Sequence, residues 1–294
     1  MPVLFVSQLT DRGIVRIAGA DADKLLEKLI TNSLEHLAPR MAIYSGLLSP
    51  QGKIMFDFFL IRAGSDLLID VAQASLGDLI KRLTLYKLRA DVSFEDMSGT
   101  WMVAAAWGKD AQSFPGGVIA FQDPRAAELG LRLILPHERL PELAGTHASE
   151  DDYHAHRICV GVPEAGRDFE LGDTFPHEAL YDQLYGVDFK KGCFVGQEVV
   201  SRMQHRGSAR KRIVPVKADR DLVSGTEITV GTASIGTLGS VAGNRGLALM
   251  RLDRAHEATL SGTPIQAGAA TIAIDQPHWL KVDMATGRSL DGMA

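Results

Sequence analysis

The sequence predicts an α+β protein of mixed short sheets and helices that ends in a small β-barrel. Three observations predict it. Strand-like and helix-like runs mix over residues 13–107 without the strict alternation of a doubly wound sheet. From about residue 213 helical spacing stops, and short β runs are punctuated by glycines at turn spacing. The chain has 294 residues, of which 46% are apolar and 23% charged, enough for two domains with buried cores. The boundary is expected at Arg210-Lys211-Arg212, giving domains 1–212 and 213–294.

The elements follow in order. Ile14, Val15 and Ile17 mark a strand over Gly13 to Ala18. Leu25, Leu26, Leu29 and Ile30 stand at helical spacing behind Asp21, a candidate N-cap. Residues 44–48 and 54–62 read as two strands joined by the turn Ser49-Pro50-Gln51-Gly52-Lys53. Asp66 to Val71 is a third strand. Leu76, Leu79, Ile80 and Leu83 form one face of a helix running to Leu88. Residues 92–94 and 101–107 are further strands. Beyond the boundary, residues 213–216, 227–230, 233–241, 247–252 and 271–274 are the β runs of the barrel.

Composition excludes several classes. The net charge is −5, from 31 basic and 36 acidic side chains, which argues against a nucleic-acid coat or a polybasic membrane binder. Two cysteines form no disulfide framework and no four-ligand zinc set, so a reducing compartment and no metal site are expected. No window approaches the roughly 18 continuous apolar residues of a membrane span. The expectation is a cytoplasmic protein.

One segment departs from the rest. Residues 188–212 carry seven Lys/Arg against two Asp/Glu, a local cationic surplus on an acidic chain, which suits an anion. Gly192 and Gly196 bracket Cys193, and Val199, Val200 and Met203 begin a helical face with Glu198 and Arg202 paired at i,i+4. Cys193 therefore lies just before a helix, flanked by Lys190 and Lys191, where a thiolate would be stabilised. The bland alternative is a small buried hydrophobe, the reading given to Cys159 between Ile158 and Val160.

Lys191-Gly192-Cys193-Phe194-Val195-Gly196-Gln197-Glu198 resembles the K-G-C-[aromatic]-x-G-Q-E signature of the YgfZ proteins, folate-binding relatives of the glycine cleavage T-protein. Arg202 and Arg206-Gly207 fit the pattern, and Leu29-Ile30-Thr31-Asn32, the 49–53 turn and the terminal β-domain match its order of parts more loosely. The resemblance implies a T-protein-like folate-binding fold. It implies tetrahydrofolate or a one-carbon derivative as cofactor. It also implies a part in making or repairing iron–sulfur clusters in client enzymes, tRNA-modifying ones included, with Cys193 essential. The candidate folate set is Lys190, Lys191, Gln197, Glu198, Arg202, Arg206 and Glu178, the cations facing the anionic glutamate tail.

Rival readings stay open. A folate-dependent aminomethyltransferase is one. Asp57 keeps one carboxylate of the T-protein's paired acids, but Phe56 stands at the other, and Arg157-Ile158-Cys159-Val160-Gly161 lacks a third acid. Asp57 is alternatively a solvent-facing residue of an amphipathic strand, and Glu178 a solvated helix start after Pro176. A docking module with a basic helix is the other rival. RNA binding ranks low, because the cations lack interleaved aromatics. His154 and His156 have the wrong spacing for a helical metal pair.

Overall fold

The computed structural model describes residues 3–38, 41–108, 114–206 and 209–290. Two compact units interleave along the chain. The first comprises Met1–Leu48, Met55–Tyr153 and Tyr185–Val195; the second comprises Ser49–Ile54, His154–Leu184 and Gly196–Ala294.

The first unit holds two five-stranded sheets. One runs in the order Ala42–Leu48, Ile54–Ala63, Asp66–Ala72, Arg12–Ala18, Ser93–Asp96. Its strands read Phe56, Phe58 and Leu60, then Leu67, Ile69 and Val71, then Val15 and Ile17, every second residue apolar. That face buries itself against Leu76, Leu79 and Leu83 of the helix Gln73–Lys87. The other sheet runs Thr146–His147, Leu4–Leu9, Trp101–Gly108, Leu131–Pro136, Ile119–Gln122, with Val6, Ala104, Ala106, Leu133 and Leu135 in its own apolar cluster. The opposite face of the first sheet carries Arg12, Asp57, Phe59 and Asp70, all buried. The strand face of the second sheet opposite Leu133 and Leu135 carries Arg132, which reaches Asp70 and bridges the sheets.

The second unit contains a closed six-stranded barrel in the order Lys211–Ala218, Arg245–Arg251, Ala233–Ala242, Glu227–Val230, Ile265–Ala267, Ala270–Ile274, the last pairing back onto the first. Closure leaves no unpaired edge. Helix Leu252–Ser261 interrupts it and ends on Gly262 in the left-handed conformation. The expectation that helical spacing vanishes after 213 therefore fails at one place. Leu252, Ala255 and Ala258 are the buried stripe, and two alanines make a weak apolar signal.

Other local expectations also shift. The helix behind Asp21 is only Ala22–Glu27, and Asp21 makes no cap hydrogen bond; its carboxylate accepts from the Asp91 N–H at 2.9 Å. Strands Leu4–Leu9, Ile119–Gln122 and Leu131–Pro136 and helix Glu150–Val160 escape the sequence reading. Among the described residues no helix is long and apolar enough to cross a membrane.

The 49–53 turn forms as expected. Gly52 sits at φ +79°, and a Cβ there would lie 2.8 Å from the Val199 Cβ. Gly52→Ala is expected to cost about 2 kcal/mol, combining left-handed strain with that overlap. Chemical denaturation measures it; a loss below about 0.5 kcal/mol would show that the turn relaxes freely.

Candidate signature-loop and pocket sites

The Cys193 loop belongs to the first unit and is pinned from three directions. Asn32 donates through Nδ2 to the Tyr44 and Tyr185 carbonyls at 3.0 and 2.7 Å. Thr31 Oγ1 donates to the Gly186 carbonyl at 2.6 Å, and its own carbonyl accepts from the Asp188 N–H at 3.0 Å. The Lys191 ammonium donates to the carbonyls of Glu27, Ile30 and Asn32 at 2.8–2.9 Å and meets the Glu27 carboxylate at 3.3 Å. These carbonyls lie at and beyond the C-terminus of helix Ala22–Glu27, where backbone acceptors lack intrahelical donors. Three donors on one nitrogen satisfy three of them. Burial pushes the Lys191 amine down from the usual lysine range, and Glu27 opposes that.

Downstream, Phe194 is buried and Val195 packs on the helix-backed core. Between these anchors Gly192 and Cys193 stand exposed. The thiol is thus open to solvent on a backbone held at both sides. Lys190 is exposed, and its N–H donates to Asp188, whose carboxylate meets His36 at 3.0 Å. Burial opposes ionisation of Asp188, yet the Lys190 N–H and His36 hold its carboxyl below the usual range.

Lys191 therefore departs from the expectation of a folate-tail cation. Its N–H groups are spent on backbone carbonyls, and its side chain is 1% exposed. Lys190, its neighbour, stays available. Cys159 departs too: it is exposed on the helix Glu150–Val160, because its apolar neighbours flank a helix face and do not bury every residue between them.

Asp57 is buried, and the Tyr44 hydroxyl donates to it at 3.3 Å. The solvent-facing alternative fails because its strand face is covered. In that covered layer Arg12 and Arg132 share Asp70, at 2.6 Å each, and Arg125 chelates Asp123 at 2.8–3.0 Å. Burial works against the Asp123 charge, but Arg125 and Arg132 hold its carboxyl below the usual range. The Arg132 and Arg125 guanidiniums lie 4.2 and 4.8 Å from the Phe59 ring centre. None of these five charged residues stood out in the sequence.

The remaining candidates belong to the second unit. Gly196, at φ +81°, precedes helix Gln197–Arg206. Gln197 is half-buried at its start, and Glu198 and Arg202 form an exposed pair at 3.0 Å. Arg206 ends the helix, but its side chain and Gly207 lie outside the described residues. The expected helix start after Pro176 does not form, the backbone there running in turns; His177 is buried, with its ring against Gln204 at 2.9 Å. Burial holds the His177 imidazole below its usual range. Glu178 accepts from the Phe175 N–H at 2.9 Å and lines a pocket of 410 Å³ with Phe175, Val199 and Met203. Arg210, Lys211 and Arg251 line the same pocket. The local charge surplus was the one sequence signal for Arg210 and Lys211; Arg251 had none.

Comparison with known proteins identifies the family. A model of the GCVT N-terminal domain matches residues 6–122, and one of the CAF17 C-terminal beta-barrel domain matches residues 210–282. The mouse mitochondrial iron-sulfur cluster assembly factor IBA57 is 32% identical over 275 residues, covering 83% of this chain and 76% of the relative. The chain belongs to the IBA57 family. The homologue from Coccidioides immitis is 31% identical over 88% of this chain and 74% of its own length. That from Mycosarcoma maydis is 34% identical over 72% of this chain, and there the match spans only 56% of the relative. The glycine cleavage aminomethyltransferase T of Bartonella henselae shares the fold at a TM-score of 0.76 over 98% of this chain, with 15% identity.

Two expectations are corrected. The resemblance to YgfZ identified the fold and the iron–sulfur connection, but the matched relatives are IBA57 proteins. The cytoplasmic expectation is overturned, since the mouse and fungal IBA57 relatives are named mitochondrial. Unpaired cysteines report a reducing environment, which is not an address.

Proposed function

We propose that this IBA57-family chain assists the assembly or repair of iron–sulfur clusters in client enzymes, tRNA-modifying ones among them, through the Cys193 thiol, with a tetrahydrofolate bound. The carrying observation is the exposed thiol between the buried Lys191 clamp and the buried Phe194. A rigidly mounted, accessible sulfur suits chemistry performed on a visiting protein.

A folate offers an amino-pterin that donates hydrogen bonds and a tail of carboxylates. Asp57, a buried carboxylate beside Tyr44, fits the first in kind, and the exposed Lys190 fits the second. When bound, tetrahydrofolate carries one-carbon units. Asp57 would orient the ring and Lys190 would hold the tail. Aminomethyl transfer is the weaker reading. Phe56 is buried in the core on the strand face opposite Asp57, and Cys159, at the third acidic position, is an exposed thiol.

The test compares Cys193→Ser with Cys159→Ser in cells, measuring iron–sulfur client activity, and titrates tetrahydrofolate into each purified protein. Cys193→Ser is expected to leave stability within about 0.5 kcal/mol, as an exposed substitution does, and to abolish client activity while folate still binds. Cys159→Ser is expected to keep both. Full client activity in Cys193→Ser would refute the thiol role, and absence of folate binding in the unmodified protein would refute the folate role.

A further inference from the structure

Among the described residues, Leu88, Leu180 and Tyr185 are the non-glycine residues at positive φ. Side chains adopt that conformation at a steric cost, so each case needs something that offsets it. Leu180, at φ +63°, is fully buried, and its side chain serves the core. Leu88, at φ +48°, ends the helix Gln73–Lys87, and a residue at positive φ is a common way for a helix to stop. Tyr185, at φ +56°, meets neither condition: it opens the Cys193 segment in the first unit and is 72% exposed. The fold fixes its backbone. Its carbonyl accepts from Asn32 Nδ2 at 2.7 Å, and the next carbonyl, of Gly186, accepts from Thr31 Oγ1 at 2.6 Å. Both bonds use main-chain atoms, which a glycine or asparagine at 185 would present with less strain. Neither contact asks for a tyrosine.

We infer, building on the thiol reading proposed above, that Tyr185 is a docking anchor whose ring enters an apolar socket on the iron–sulfur client protein. A large aromatic side chain held in water on a fixed backbone is the kind of residue that dominates protein interfaces. The pinned backbone sets the ring before the partner arrives, so little ordering is left to oppose binding. Phe189 stands four residues on at 38% exposed, and Cys193, four beyond it, is exposed too, so one segment presents two rings and the thiol. Eight residues of chain put Tyr185 at most about 28 Å from Cys193. A standard interface covers about 800 Å² on each partner, on the order of 30 Å across, so a single client face can meet both. That face is apolar opposite Tyr185, because a strongly hydrated one would gain nothing from the ring it covers.

The test uses Tyr185→Asn, Tyr185→Gly and Tyr185→Phe, with Cys193→Ser as the comparison. Each is measured for iron–sulfur client activity in cells and, as the purified full chain, for melting temperature and sedimentation. The asparagine and glycine variants are expected to melt at or above the parent temperature, since the backbone strain is relieved. Both are expected to lower client activity about tenfold at native expression, as loss of an interface anchor does. Tyr185→Phe keeps the ring and is expected to stay within about threefold of the parent. Raising expression about tenfold should restore Tyr185→Asn, because mass action offsets weakened docking, and should not restore Cys193→Ser. The anchor is overturned by full client activity in the asparagine and glycine variants, by a lower melting temperature in both, or by a loss that overexpression does not restore. It is also overturned by a self-associating chain that these substitutions dissociate, which would give the ring to a second copy. Client activity lost in Cys193→Ser and kept in Tyr185→Asn removes the anchor alone. Activity kept in Cys193→Ser and lost in Tyr185→Asn removes the thiol reading alone and leaves the anchor standing.

Discussion

Replacing Asp70 by alanine is expected to destabilise the first unit by about 3–5 kcal/mol, the usual cost of removing one member of a buried ion pair. Asp70 is fully buried and answers two guanidiniums at once. Oδ1 accepts from Arg12 Nε at 2.6 Å, and Oδ2 accepts from Arg132 Nε and Nη2 at 2.9 and 2.6 Å. Arg12 and Arg132 are 8% and 2% exposed, so neither recovers hydration when the carboxylate goes. Asp123 cannot take over, because it already chelates Arg125 and lies 3.8 Å from Arg132. Arg132→Met is expected to cost less, since Asp70 then keeps Arg12 and methionine fills the space. Urea denaturation with unchanged slope measures both. An Asp70→Ala loss below about 1 kcal/mol would mean that water enters between the sheets and that the layer is not dry.

Replacing Lys191 by methionine is expected to release the Cys193 loop while leaving both sheets intact. The substitution keeps length and apolar contact but orphans the carbonyls of Glu27, Ile30 and Asn32, each worth about 1–3 kcal/mol if it stays dry. The clamp holds a surface segment, so the loss should appear as local opening. Hydrogen exchange over 185–195 should accelerate, and the Asp66–Ala72 strand should keep its protection. Lys191→Arg is not expected to rescue the loop, because a planar guanidinium fork cannot aim three N–H groups at carbonyls converging on one point. Alkylation of Cys193 by iodoacetamide gives a second readout, since a thiol on a loosened loop should change its rate. Unchanged exchange in Lys191→Met would show that Asn32 and Thr31 hold the loop by themselves.

Two adjacent lysines show where sequence reasoning stops. Lys190 and Lys191 share charge, length and neighbours, and both read as cations for an anionic ligand. One is exposed and the other is a buried clamp, because the carbonyls that select Lys191 come from 159 to 164 residues upstream. Asp57 teaches the same point differently. The sequence marked it as a residue of an amphipathic strand, and alternation along that strand sets it opposite the Phe56 and Phe58 face. Whether that face met water was undecidable from the strand, since the cover is a second sheet whose Arg132 strand had no strong local signal.

The barrel was legible because glycine-marked β runs are a local property of the backbone. Its helix Leu252–Ser261 was not, because alanines bury without advertising a stripe. The signature around Cys193, the cationic surplus of 188–212 and the 49–53 turn were likewise readable in the sequence, each being carried by consecutive residues. What tertiary structure alone decided is which charges are spent. Arg12 and Arg132 share the one Asp70 carboxylate across 58 to 62 residues, Lys191 is consumed as a clamp, and Lys211 is left to face a pocket. Periodicity reports the direction in which a side chain leaves its own backbone; the partner that meets it is set by packing between distant segments, and for a charge in a protein interior the partner determines its role.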